Sequence, residues 1–480
     1  MPDPKHTMNL LRDMNLTASY GKVNKVVGLV AEGSGLKAPL GSLCHVLPEG
    51  IADDGRTEEN MIPVEVVGFR EGNLLFMPYG DLRGVQPGSL IRNSSLPPFF
   101  SVGPGLLGRA FNAFGEPLEG IEQIEFAEGL EQASVHERQE LVPIYAEPPS
   151  PLARPRIQDP LDVGVRSINA LLTLGKGQRV GIMAGSGVGK STLMGMMARY
   201  TKADVNVIAL IGERGREVLE FIEKDLGPEG MARSVLVIAT SDQAPLVRMR
   251  AAYAGTAVAE YFRDQGKDVL FMMDSVTRFA MAAREVGLAV GEPPTTKGYT
   301  PSVFAAMPRL LERAGRNNRG TITGIYTVLV DGDDFNEPIA DSVRSILDGH
   351  IVLTRELADQ GHYPAIDVLR SISRLRTDIC PKEIIMAGRG VLGSMATFKK
   401  VEDMINIGAY AHGANAEIDR AIIMMPRINA FLQQDVTEPC GIADAFDGLQ
   451  ALAAEGDNIA VGPGVAATAS QDSGKKPGMR

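Results

Sequence analysis

Tryptophan is absent from the 480 residues, and cysteine is nearly so. The three thiols, Cys44, Cys380 and Cys440, lie far apart with no CxxC spacing. That odd, sparse set argues against a disulfide framework and a structural zinc site, and reads as free thiols in a reducing cytoplasm. The six histidines show no metal-ligand spacing. Long apolar runs are also missing: no stretch approaches the roughly 20 residues that span a bilayer. The opening MPDPKHTMNLLRDMNL lacks the apolar core of a signal peptide. Any membrane contact is therefore expected to be peripheral. A basic excess is lacking too. The formal net charge is -11, so a large nucleic-acid surface is not the default expectation, although an acidic average can hide a local basic patch. With 44% hydrophobic and 22% charged residues, the composition is that of a soluble chain of two or three domains.

What the sequence does have is a texture that changes along its length. Residues 1–20 form a flexible N-terminal segment with one amphipathic pattern, Met8, Leu10, Leu11, Met14 and Leu16. It reads either as a frayed terminal helix or as a docking helix for a partner. From 21 to 97, short apolar runs (23–30, 41–46, 61–69, 73–77 and 89–91) are cut by Gly, Pro and Asp, which predicts a small β-barrel or sandwich. From 98 to 385, apolar runs alternate with helical segments, the pattern of an α/β fold with a parallel sheet. The expected strands are 178–183, 205–211, 234–239, 268–273 and 321–330. The expected helices are 190–200, 216–225, 245–263, 276–286 and 302–314. Residues 386–465 read as a helical domain, and the polar stretch 466–480 as a disordered tail.

The strongest motif is AGSGVGKST: Ala184, Gly185, Ser186, Gly187, Val188, Gly189, Lys190, Ser191 and Thr192. It follows an apolar strand and opens a helix, the context that a phosphate-binding loop requires. The glycines let successive N–H groups turn inward onto phosphate oxygens, reinforced by the positive end of the helix. Lys190 supplies a point charge at the β/γ-phosphates of ATP, and the Ser191 hydroxyl is suited to ligate Mg²⁺. Ala184 stands where the usual pattern has Gly, a small residue for a small residue.

Asp274 ends the run DVLFMMD, on a strand expected beside the phosphate-loop strand. It is the candidate Mg²⁺ anchor through water, with a helix-capping Asp as the alternative. Glu213, in GERGREV, follows one helix and one strand after Lys190. Its carboxylate is expected at the same sheet edge, able to orient an attacking water. The alternative is a loop Glu paired with Arg214 or Arg216. Arg374, in RSISRL, and Tyr363, in GHYPAID, are ambiguous by spacing alone: a surface ion pair and turn packing fit them as well as any role at a nucleotide. Asp331, Asp333 and Asp334 read as a solvated turn or as a loop near the γ-phosphate or a subunit interface. Arg248 and Arg250 read as a solvated helix face, with a face toward a neighbour as the alternative.

The set AGSGVGKST, GERGREV, DVLFMMDSVTRFA, GYTPSVFAAMPRLLERAG, DDFNEPIADSVRSILDGHIVL and GHYPAIDVLRSISRL resembles the rotary-type ATPase family. Within it the set most resembles the ATPases of type III protein export, the flagellar branch in particular, over about residues 20–440. The resemblance implies an α/β, RecA-like P-loop core with an N-terminal β-barrel and a C-terminal helical domain. It implies a homohexameric ring with nucleotide between subunits. It puts Lys190 and Glu213 in catalysis, Asp274 at the Walker B acid, Arg374 at the arginine finger and Tyr363 at the adenine-stacking aromatic. The implied partners are a stator-like regulator at the N-terminus, a coiled-coil stalk protein in the pore, export chaperones and substrates, and an export gate at the inner membrane. The implied location is the inner face of that membrane, reached through partners. The same motifs fit a virulence-type injectisome ATPase. A RecA-like nucleic-acid translocase would want basic pore loops and stacking aromatics in the barrel, and a non-catalytic scaffold would bind nucleotide without turnover.

Overall fold

In the first unit short strands carry buried residues toward one interior and close on themselves. The computed structural model describes residues 19–48, 61–94, 98–118, 140–330, 334–335 and 337–459. The expectations for the N-terminal segment, for the C-terminal tail and for Asp331 and Asp333 fall outside these residues, apart from Ser19 and Tyr20. Six strands, β1 (Tyr20–Val27), β2 (Val30–Ser34), β3 (Leu43–Val46), β4 (Ile62–Arg70), β5 (Asn73–Pro78) and β6 (Leu90–Asn93), form a closed antiparallel barrel. Its interior is filled by Val23, Cys44, Val64, Val66, Phe76 and Ile91. The run 23–30, expected as one strand, is two. Gly28, at φ +58°, turns the chain between β1 and β2, a conformation that costs glycine little.

The second unit is a sheet with order β14-β13-β8-β12-β11-β9-β10-β7. Its strands are β7 (Arg109–Phe111), β8 (Arg179–Ala184), β9 (Val205–Ile211), β10 (Ser234–Ala239), β11 (Asp268–Asp274), β12 (Thr321–Leu329), β13 (Gly349–Leu353) and β14 (Ile372–Ser373). Pairing is parallel from β7 through β13, and the short β14 runs antiparallel at the edge. The inner strands are covered on both faces, which is why they read as continuous apolar runs. One expectation is corrected here. β11 does not adjoin the phosphate-loop strand β8, because β12 is inserted between them.

The helices that matter to the site are α1 (Arg166–Leu171), α2 (Lys190–Tyr200), α3 (Pro245–Asp264), α4 (Val276–Val290), α5 (Lys382–Asn406), α6 (Ala416–Leu432) and α7 (Ile442–Asn458). The helix expected over 216–225 is broken. Gly215–Glu220 is α-helical, and Phe221–Leu226 winds as a π-helix. The boundary expected at 385/386 falls inside α5, which begins at Lys382. α5, α6 and α7 pack together, and α7 rests on α1 of the central unit.

Arg250, on α3, corrects another expectation. It is buried, and its guanidinium donates to the carbonyls of Ala113 and Phe99. It also lies over the rings of Tyr79 and Phe114. Tyr79 is a barrel-side residue whose hydroxyl donates to the Glu65 carboxylate. This buried cation joins the barrel to the central unit, alongside the Arg70 guanidinium donating to the Val290 carbonyl and the packing of Leu75 and Met77. Arg248 pairs instead with Glu285 at 2.9 Å.

Candidate active site

The carboxyl ends of parallel strands gather loops at one sheet edge, and here three chain-distant residues meet there. β8 ends at Ala184. Gly187 (φ +78°) and Gly189 (φ +87°) then take the left-handed conformation that lets the loop wrap, and α2 begins at Lys190. Val188 is buried and pins the loop to the core, while Ser186 and Ser191 remain exposed. The Ser186 carbonyl accepts a hydrogen bond from Arg355 at 3.1 Å. The loop thus stands as an open cradle at a helix N-terminus, suited to anionic oxygens.

Lys190 Nζ lies 2.5 Å from Asp274 Oδ1 and 3.4 Å from Glu213 Oε1. Asp274 reaches across the intervening strand, and Thr327 on β12 donates to its Oδ1 at 2.6 Å. Glu213 follows β9 through Gly212, and its carbonyl accepts from the Ser241 N–H at 3.0 Å. Glu213 does not pair with Arg214 or Arg216. Arg214 turns to Glu217 at 3.4 Å. Burial works against the Lys190 ammonium, but the Asp274 and Glu213 carboxylates outweigh it and push its pKa up. Burial pushes Glu213 up to about 7; Lys190 opposes that shift, while Asp274 and a hydrogen bond with Glu217 add to it.

These side chains line a cavity of about 540 Å³, large enough to receive a polyphosphate. Arg278, Glu217 and Phe221 line it as well. None of these three was singled out from sequence. Glu217 lies four residues after Glu213, and Arg278 four after Asp274, and that spacing from a strand-end acid was the available signal. Among the described residues no cluster of three or more His, Cys, Asp or Glu side chains forms a protein-only metal cage. One hydroxyl, Ser191, and one carboxylate, Asp274, are hard oxygen donors. They suit Mg²⁺, which keeps waters and takes further ligands from phosphate.

Tyr363 does not line that cavity but stands beside its mouth. A Cβ added to Gly189 would meet Tyr363 Cδ1 and Cε1 at 3.7 Å, and the ring is 46% exposed, open to stack on a flat partner. Arg374 is not brought to Lys190. It follows β14 at the amino-terminal end of the parallel strands, away from the carboxyl ends that carry the cradle, exposed, with its N–H donating to the Asp348 carbonyl and its guanidinium to that of Arg344.

Comparison with known proteins returns the following matches. Residues 164–373 match the ATP synthase alpha/beta family, nucleotide-binding domain, and residues 380–451 match the T3SS EscN ATPase C-terminal domain. The chain is 53% identical over 449 residues to the flagellum-specific ATP synthase of Bacillus subtilis (strain 168), covering 93% of this chain and 98% of that protein. It is 48% identical over 415 residues to the type 3 secretion system ATPase of Xanthomonas euvesicatoria, covering 86% and 90%. The structure of the assembled ATPase EscN from the enteropathogenic E. coli type III secretion system aligns with a TM-score of 0.82 and 42% identity, over 90% of this chain and all of that one. The same ATPase in complex with its central stalk EscO aligns at 0.79, also 42% identical, over 90% and 100%.

Proposed function

The chain belongs to the ATP synthase alpha/beta family, in the branch of flagellar and type III secretion ATPases, and we propose that it is the ATP-hydrolysing motor of a flagellar protein export apparatus. The observation that carries this reading is the meeting of Lys190, Asp274 and Glu213 at the mouth of the phosphate loop.

The chemistry follows from that meeting. In the free chain, Lys190 bridges two carboxylates. An incoming polyphosphate offers Lys190 a stronger set of anionic oxygens, and the loop N–H groups grip the same oxygens. Lys190 then moves its charge to the phosphate, and the two carboxylates are freed for their own tasks. Ser191 and Asp274 would hold Mg²⁺, which neutralises charge on the phosphate oxygens when bound. Glu213, ionised, orients a water in line with the terminal phosphorus and accepts its hydrogen bond. Phe221 and the walls of the cavity limit bulk water. Tyr363 stacks on adenine.

Arg374 lies too far along the sheet to serve this chain's own cradle. That supports a ring of identical subunits in which Arg374 reaches the nucleotide of the neighbour and stabilises charge on the transferring phosphoryl group. A hexamer is the state we propose, with a coiled-coil stalk in the pore, as the assembled EscN complexes with and without EscO suggest by analogy. A stator-like regulator at the N-terminus, export chaperones and an export gate complete the proposed partners. No helix among the described residues is long and apolar enough to cross a membrane, and we propose attachment to the inner face of the cytoplasmic membrane through those partners.

Phosphate release by the purified chain with Mg-ATP tests the enzyme, and filament assembly in a strain carrying only Glu213→Gln tests the role. The expected results are turnover in the first and bare, non-motile cells in the second. An injectisome role is the second reading, favoured by the Xanthomonas relative and the EscN likeness. It predicts that motility survives the substitution while effector secretion stops.

A further inference from the structure

The loop that leaves α6 carries more hydrogen bonds than a connector needs, and three of them converge on one buried amide. Gln434 is 6% exposed. Its Oε1 accepts from the Arg166 N–H at 2.7 Å. Its Nε2 donates to the carbonyl of Gly164 at 2.9 Å and to that of Glu438 at 2.5 Å. One side chain thus satisfies three backbone groups on two segments. The Arg166 side chain closes the same joint from outside. It donates to the carbonyls of Phe431 and Gln433 at 3.3 and 3.0 Å and pairs with Glu438 at 2.5 Å. Arg166 opens α1, in the segment that leads directly into β8 and the phosphate loop.

The other end of this joint reaches the candidate base site. The backbone N–H of Gln434 donates to the Tyr363 carbonyl at 3.0 Å. Tyr363 therefore hangs from the post-α6 loop on one side, while its ring stands over Gly189 on the other. Its position depends on where residue 434 is held, and the Gln434 side chain is the anchor at that residue, with Arg199, Tyr200 and Asn169 holding the loop further along at Val436 and Cys440.

From this geometry we propose that Gln434 is a positioning residue for nucleobase recognition: it staples the post-α6 loop to the start of α1 and thereby sets the height of the Tyr363 ring above the phosphate loop. The inference rests on the reading of Tyr363 as the adenine platform. It predicts a signature that a general structural role does not give. Loosening the staple weakens what the base contributes and leaves the triphosphate contacts untouched, because the post-α6 loop meets α2 at its far end, where Arg199 and Tyr200 donate to the Val436 carbonyl, a helix length from the phosphate loop.

The test uses the full-length chain and two probes with Mg²⁺, ATP and inorganic tripolyphosphate, the latter as a competitor that has no base. Tyr363→Ala is the reference: a raised KM for ATP with an unchanged inhibition constant for tripolyphosphate establishes the platform. Gln434→Leu is then expected to raise the KM for ATP roughly tenfold with kcat held within about twofold and tripolyphosphate inhibition unchanged. Arg166→Met, a milder change on a partly exposed side chain, is expected to give the same pattern at roughly threefold, and it decides the matter if Gln434→Leu does not fold. A platform established by Tyr363→Ala together with an unchanged KM in the folded variants overturns the inference, as does an equal weakening of ATP and tripolyphosphate. An unchanged KM in Tyr363→Ala overturns the base reading itself, and the inference with it.

Discussion

Glu213 is the residue on which turnover depends in this account, and its environment makes a prediction with a sign. Only the ionised carboxylate orients water, and burial pushes the group up to about 7. kcat/KM should therefore rise with pH through about 7 and flatten above it, an ascending limb measurable by phosphate release. Glu213→Gln should erase that limb, retain nucleotide binding and lower kcat by roughly two to four orders of magnitude. Stability responds in the opposite sense. An ordinary glutamate titrates near ~4.3, so Glu213 prefers its proton when the chain is folded. Its contribution to stability is present below the unfolded value and lost as pH climbs through about 7. In urea melts, Glu213→Gln should thus gain on wild type above pH 7. Lys190→Ala removes the cation that sits between two buried carboxylates. Calorimetric titration should find tight Mg-ATP binding abolished. Lys190, Glu213 and Asp274 were legible because each follows an apolar strand whose end must lie at one sheet edge. Glu217, Arg278 and Thr327 were not, since their part in the site comes only from the direction in which their turn or strand points them.

Elements tell a different story. The inner strands β9, β10 and β11 were readable almost residue for residue, because burial on both faces demands an unbroken apolar run. The edge strands β7 and β14 were missed, since a short strand at a rim leaves no such run, and the five-residue β13 beside β14 was missed with them. Strand order was misread for a related reason: distance along the chain does not say that β12 enters between β8 and β11. The π-helical turn at Phe221–Leu226 escaped because the apolar positions of one wider turn look like those of an α-helix over so short a span. Arg250 was read as solvated because a charged residue on a helix usually is, and only the barrel packed against α3 gives its guanidinium carbonyl acceptors and aromatic faces. Arg250→Met should leave those carbonyls bare and loosen the barrel from the central unit. The expected loss is about 2–4 kcal/mol in chemical unfolding, with little change in nucleotide affinity. An unchanged unfolding midpoint would mean that the barrel is held by other contacts.

At the scale of the whole molecule, one chain carries both halves of the proposed catalytic interface but does not bring them together. Arg374 and Tyr363 owed their assignment to family resemblance, since spacing alone left both open. Separation of Arg374 from the cradle fits the proposed ring of like subunits, each lending its arginine to the next. Arg374→Ala should then depress turnover by roughly three to five orders of magnitude while nucleotide still binds. The rate of wild-type chain should climb cooperatively with protein concentration as rings assemble.

The most direct measurement mixes two inactive chains, Glu213→Gln and Arg374→Ala, in equal amounts under assembling conditions and follows phosphate release. If each site takes its carboxylate from one subunit and its arginine from the neighbour, random mixing restores roughly a quarter of the interfaces, and activity returns in the mixture though neither chain has any alone. A mixture that assembles, as native mass spectrometry would report, yet stays as silent as its components would contradict the account.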